Sequence, residues 1–146
     1  MGSVYRLPRH IEGTGMNDWD NTFPPLHLRA RSARFGRALH YEAVRGHGEV
    51  VGLVSLYRDR ERANTVEVAF WVDPVHRGRG MGTELCRLGA ERARRLPGIG
   101  RVVMACAEEN AAAQRIAEKV GAVLLQVLPD GCLYRGGLCA VHLYLL

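Results

Sequence analysis

A chain of 146 residues, 47% of them hydrophobic and 24% charged, has the length of one domain and is too apolar to stay disordered. A domain of this size buries about 68–70% of its unfolded surface and stands without a disulfide or metal staple. Cys86, Cys106, Cys132 and Cys139 show neither a CxxC nor a regular spacing, which argues against a zinc ribbon or a secreted disulfide framework. No apolar run approaches the roughly 18 residues of a membrane span and no signal peptide opens the chain, so a soluble, cytoplasmic protein with no membrane partner is expected.

The formal net charge is +5, from 20 Lys and Arg against 15 Asp and Glu. Lys119 is the only lysine, and the arginines are scattered rather than gathered into one block. No aromatic residues interleave with them as a stacking platform, which argues against nucleic acid and for an anionic small molecule as partner. No repeat or low-complexity linker divides the chain, and residues 1–146 read as a single domain.

In chain order, a short strand is predicted near Val4 to Leu7. A stretch from Gly13 to His27 then carries turn and breaker residues, and a helix is predicted from about Leu26 to Leu39. Tyr41 to Arg45 and Val50 to Tyr57 read as a hairpin around Gly46, His47 and Gly48. Val66, Val68, Phe70 and Val72 alternate with Glu67, Ala69 and Trp71, a strand with one apolar face that Asp73 and Pro74 end. Leu85, Leu88 and Leu96 follow at helical spacing until Pro97 and Gly98 stop the helix. Arg101 to Ala107 is a further strand, and a helix begins near Asn110, with Ala113, Ile116, Ala117 and Val120 on one face and Gly121 as its left-handed cap. Ala122 to Leu128 and Leu138 to Leu146 are the closing strands, joined by a loop from Pro129 to Gly137. This order is a mixed α/β (α+β) layer protein, not a doubly wound nucleotide-binding sheet.

The stretch from Val72 to Thr83 runs from a strand end through Gly78, Gly80 and Gly82 into an amphipathic helix. Alternating glycines leave backbone N–H groups uncovered, and the helix behind them adds free donors and the positive end of its dipole. Such a place binds phosphate. It lacks the Gly-Lys-Ser/Thr of a P-loop and the GxGxxG of a dinucleotide fold.

The pattern Arg77-x-x-Gly80-x-Gly82 after a strand ending Val-Asp-Pro resembles the first cofactor motif of the GNAT superfamily of acetyl-CoA-dependent N-acyltransferases. Asn110-x-x-Ala113-x-Arg115-Ile116-x-Glu118-Lys119-x-Gly121 resembles the second. The element order from Tyr41 to Leu146 also matches that family. Within it, Val66 to Pro74 and the Arg115 spacing look like the branch of ribosomal-protein N-terminal acetyltransferases (RimJ/RimL-like). The resemblance implies a GNAT fold: a central, mostly antiparallel, twisted sheet splayed at strands 4 and 5 and flanked by helices.

It also implies direct transfer of acetyl from acetyl-CoA to a primary amine, of a small molecule or a peptide or protein N-terminus, in a ternary complex. The amides of Gly78, Arg79, Gly80, Met81, Gly82 and Thr83 would hold the pyrophosphate, helped by the side chains of Arg77, Arg79 and Thr83. The pantetheine arm would lie along Phe70, Trp71 and Val72 and meet Asn110, with Arg115 completing the second motif. A strand N–H would polarise the thioester carbonyl.

The acceptor must attack as a free amine: at pH 7 this costs roughly 4.6 kcal/mol for a lysine side chain and about 1.4 kcal/mol for an α-amine. Glu67, mid-strand among apolar residues, is the candidate base, directly or through water. The family's Tyr acid is replaced by Ala117 and the branch's Ser by Ala113, so Cys132 and Tyr134 are considered as substitutes. Asp18, Trp19, Asp20 and Phe23 could attract a cationic amine. No metal site is expected, and His76 is expected to be exposed. The missing acids leave a non-catalytic acetyl-CoA-binding module or partner subunit as the alternative. A homodimer through the final strand is also open.

Overall fold

The computed structural model describes residues 26–31 and 38–146. The strand near Val4 and the Asp18 to Phe23 cluster lie outside them. Seven strands form one sheet in the order β1-β2-β3-β4-β5-β7-β6: β1 (Leu26–Ala30), β2 (Ala38–Arg45), β3 (Glu49–Arg58), β4 (Thr65–Val72), β5 (Arg101–Ala107), β6 (Val123–Tyr134) and β7 (Gly137–Leu145). Helix α1 (Met81–Arg94) connects β4 to β5 and α2 (Ala111–Lys119) connects β5 to β6. Every strand pair is antiparallel except β4 and β5, as a crossover through a helix requires.

The parallel pair is short. β4 and β5 are in register only at Thr65 with Arg101, Val66 with Val102 and Glu67 with Val103, although β4 continues for five more residues. On its other side β4 stays paired with β3 as far as Val72, which faces Gly52. The sheet therefore opens into a V beyond Glu67, and its arms are the ends of β4 and β5.

The alternation in β4 has the expected result. Val66 and Val68 are buried under α1 together with Leu56, Val54, Leu85 and Leu88, while Glu67 and Ala69 are half-buried on the opposite face and Trp71 is exposed. Gly89 lets α1 sit close on the sheet, since a Cβ there would lie 2.6 Å from Val68 and 2.9 Å from Val54. Gly52 does the same where β3 meets the end of β4: a Cβ would collide with the Trp71 carbonyl oxygen and reach 2.7 Å from Leu85 Cδ2. Because a backbone atom cannot step aside, Gly52→Ala should cost about 3 kcal/mol and lower Tm by roughly 10 °C in a calorimetric scan.

Two predicted elements are corrected. The segment predicted as helix from Leu26 contains strand β1, with Leu26 and Leu28 buried and Arg29 paired across the ladder to Glu42 at 2.6 Å. Burial there has period two, and pairing with β2 overrides local helix propensity. The predicted loop from Pro129 is mostly strand: β6 runs to Tyr134, absorbs Pro129, Asp130 and Gly131 in an irregularity between Leu128 and Cys132, and turns at Arg135 and Gly136. Both turn residues have positive φ, 50° and 86°, the mark of a tight two-residue hairpin. The final strand β7 lies between β5 and β6, so at this end of the sheet β6 is the edge among the described strands, and its Val123, Leu124, Leu125, Val127 and Leu128 are exposed.

Candidate functional site

The glycine turn is built by the end of β4. Asp73 accepts the Val75 N–H at 3.1 Å and Pro74 opens a single 3-10 turn through His76. The Arg77 side chain reaches back, its Nε donating to the Val72 carbonyl at 3.0 Å while its guanidinium lies 5.9 Å from the Trp71 ring centroid. Gly78 and Gly80 both take φ of 75°, and Gly80 is the N-cap of α1. A glycine cap brings no side chain, and the first helical bond is Glu84 N–H to the Gly80 carbonyl. Among the described residues, none accepts a hydrogen bond from the amides of Gly78, Arg79, Gly80, Met81, Gly82 or Thr83. Six consecutive donors stand at the positive end of a 14-residue helix, an arrangement whose chemistry suits an anion.

His76 corrects the expectation of an exposed side chain. It is buried at 7% exposure, with Nε2 3.3 Å from Glu49 and Nδ1 without a partner among the described residues. Glu49 in turn accepts from Arg45 at 2.7 Å, and that guanidinium, with the His76 charge as a lesser cause, holds the Glu49 carboxyl below its usual range. The imidazole thus ties the β2–β3 hairpin to the underside of the turn.

The second predicted segment packs against the start of α1. Asn110 is the N-cap of α2, accepting the Ala113 N–H at 3.1 Å, so its Oδ1 is occupied by the helix. Ile116 packs α2 onto α1, with Cδ1 at 2.6 Å from where a Gly82 Cβ would stand, and Phe70 borders the same spot. Gly82, Phe70 and α2 therefore meet beside the end of β4. Trp71, Arg79 and Arg115 are exposed, Val72 is partly buried, and Met81 and Thr83 are buried on the inward side of α1.

Glu67 stands at the root of the V, the last β4 residue paired with β5. Its carboxylate makes no hydrogen bond or ion pair with a described residue. Burial, reinforced by the negative charge of Asp59, pushes its pKa above the ordinary carboxylate value. It borders a cavity beside the β3–β4 loop whose wall includes Tyr57, Arg58, Asp59, Arg62 and Arg101. Sequence reasoning missed these groups. The available signal was the run of charges from Arg58 to Arg62 directly before the strand that carries Glu67.

Of the substitutes considered for the missing acid, Cys132 has a thiol partner and Tyr134 is in contact through its ring. Cys132 faces Cys139 across the β6–β7 ladder with the sulfurs 3.2 Å apart, and the Tyr134 ring carries the Arg135 guanidinium at 5.3 Å. A phenol not considered, Tyr144 of β7, packs in the cluster that buries Ala117, with its Oη 3.3 Å from His142 Nδ1. Among the described residues no group of three or more His, Cys, Asp or Glu is placed to hold a metal, and no helix is long and apolar enough to cross a membrane.

A family model described as acetyltransferase (GNAT) domain matches residues 9–123. No curated protein matches. Among solved structures, mutant forms of the spermidine/spermine N-acetyltransferase SpeG from Vibrio cholerae superpose with a TM-score of 0.68 at 18% identity, over 77% of this chain and 68% of that one. The Vibrio cholerae spermidine N-acetyltransferase in complex with CoA and spermine gives the same TM-score and identity over 76% and 66%. A protein described as a probable acetyltransferase superposes at 0.65 and 22%, over 75% and 61%. At these identities the likeness establishes the fold.

Proposed function

The chain belongs to the GNAT acetyltransferase family, and from that premise we propose that it moves an acetyl group from acetyl-CoA to a primary amine in a ternary complex. The observation that carries this reading is the run of six amides from Gly78 to Thr83 that no described residue accepts from. They fit a diphosphate, and the open edge of β4 beyond Glu67 fits an extended amide-bearing arm, since a strand edge pairs with any such chain. When bound, acetyl-CoA supplies a thioester whose acetyl group the amine accepts.

The chain's own residues then have defined tasks. The amides of Gly78 to Thr83 hold the diphosphate, while Phe70, Trp71, Val72 and Asn110 border the arm. An open-edge N–H of β4 polarises the carbonyl. Glu67 accepts the amine proton, directly or through water, as the nitrogen lone pair forms the C–N bond. The C–S bond breaks with its electron pair on sulfur, and the thiolate, whose conjugate acid has a pKa of about 8.5, takes a proton from water. A strong internal acid is not required for such a leaving group.

The Val66 to Pro74 pattern supports the branch that contains the ribosomal-protein N-terminal acetyltransferases, a branch whose membership does not by itself name the acceptor. The experiment is thiol release from acetyl-CoA across a panel of amines. Turnover of at least one primary amine supports the proposal. Tight CoA binding with no turnover on any amine supports the non-catalytic module instead.

A further inference from the structure

The cavity at Glu67 carries more positive than negative charge, and this bears on which amines it takes. Arg58, Arg62 and Arg101 line it against two carboxylates, Asp59 and Glu67. The carboxylates are not equivalent. Asp59 Oδ1 accepts the backbone N–H groups of Glu61 at 2.8 Å and Arg62 at 3.0 Å, and these bonds hold its pKa below the usual value. It is spent on shaping the β3–β4 loop, which leaves Glu67 as the cavity carboxylate that no described residue hydrogen-bonds.

The arginines divide in the same way. Arg58 donates to the carbonyls of Ala63 at 3.3 Å and Pro97 at 3.0 Å, which fixes it as a structural bridge. The side chains of Arg62 and Arg101 make no hydrogen bond or ion pair with a described residue. Arg101 opens β5 opposite Thr65, two positions along the ladder from the pair of Glu67 with Val103. One half-buried carboxylate and two guanidinium groups whose donors no described residue takes up therefore share one cavity.

We propose that the acceptor is a primary amine that also carries an anionic group, a carboxylate or a phosphate, with the amine directed to Glu67 and the anion held by Arg62 and Arg101. This rests on the acetyl-transfer reading and names the substrate class for the same site. Guanidinium groups bind carboxylate and phosphate through paired N–H donors, and a ligand with one charge of each sign satisfies all three side chains. A polyamine satisfies only Glu67 and places its remaining ammonium groups against the two arginines.

The test compares β-alanine, 4-aminobutyrate and phosphoethanolamine with tyramine and spermidine, in thiol release and in calorimetric binding with CoA present. The two carboxylates against the phosphate distinguish the sources of the anion. The expected result is a kcat/KM at least tenfold higher for an anionic amine than for tyramine or spermidine. Arg62→Gln and Arg101→Gln should each raise its KM roughly tenfold with kcat little changed, and Arg101→Lys should restore part of the loss. Calorimetry keeps the two readings separable. Binding of an anionic amine to the wild type but not to the arginine variants sustains the inference even where no amine is acetylated, an outcome that defeats acetyl transfer alone. Preference for spermidine, or arginine variants that bind anionic amines as the wild type does, overturns the inference with acetyl transfer intact.

Discussion

Replacing Gly80 by Asp should weaken CoA binding roughly 100-fold, about 2.7 kcal/mol, with the fold retained. Gly80 is the N-cap of α1 at φ 75°, a left-handed conformation that Asp tolerates better than most residues. The new carboxylate would stand among the donors of Gly78 to Thr83, compete for them and repel a diphosphate. Hydrogen bonds to a charged group are each worth about 1.5–3 kcal/mol, so losing one or two accounts for the effect. The backbone strain of order 1 kcal/mol is partly offset by an acidic group at a helix start, and Tm should move by only a few degrees. Gly80→Asn has nearly the same shape without the charge and should weaken binding only several-fold. Equal losses in the two variants would point to sterics rather than to an anion site.

Glu67→Gln should lower kcat roughly 100-fold and leave CoA affinity unchanged, because a positioned base contributes about 10²–10⁴ and Glu67 lies at the root of the V, away from the glycine turn. The wild-type kcat/KM should rise with pH along a limb that lies above the ordinary carboxylate range, since burial and then the Asp59 charge raise this pKa. The variant should lose that limb and keep only the one set by the amine. Stability has its own sign. A carboxyl whose folded pKa is raised stabilises the fold fully below its unfolded pKa and loses that contribution as pH rises through the folded value. The variant should therefore melt at a higher temperature than the wild type at neutral pH, with the two converging in acid. An unchanged kcat would remove Glu67 from the mechanism.

The parts of this account legible in the sequence share a cause: local patterns whose burial or turn chemistry leaves one solution. The alternation of Val66 to Val72, the breakers Asp73 and Pro74, the spaced glycines and the helix start near Asn110 each have a structural counterpart at the same residues. What was not legible depends on partners distant in the chain. Leu26 and Leu28 suit a helix or a strand until Ala43 and Arg45 stand opposite them. Pro129 and Gly131 look like a loop unless an edge strand absorbs them as an irregularity. The cavity groups belong to this class as well, because Arg101 reaches Glu67 only through the parallel pairing of β4 with β5. His76 reads as exposed from its loop position, whereas the fold buries it with Nε2 3.3 Å from Glu49 of another strand.

The most direct measurement is amide hydrogen exchange at Gly78, Arg79, Gly80, Met81, Gly82 and Thr83, followed as CoA is titrated to saturation. These amides should exchange quickly in the free protein, where no described residue accepts from them, and slow markedly and together as CoA binds. Saturable CoA binding with exchange at these six positions unchanged would contradict the account.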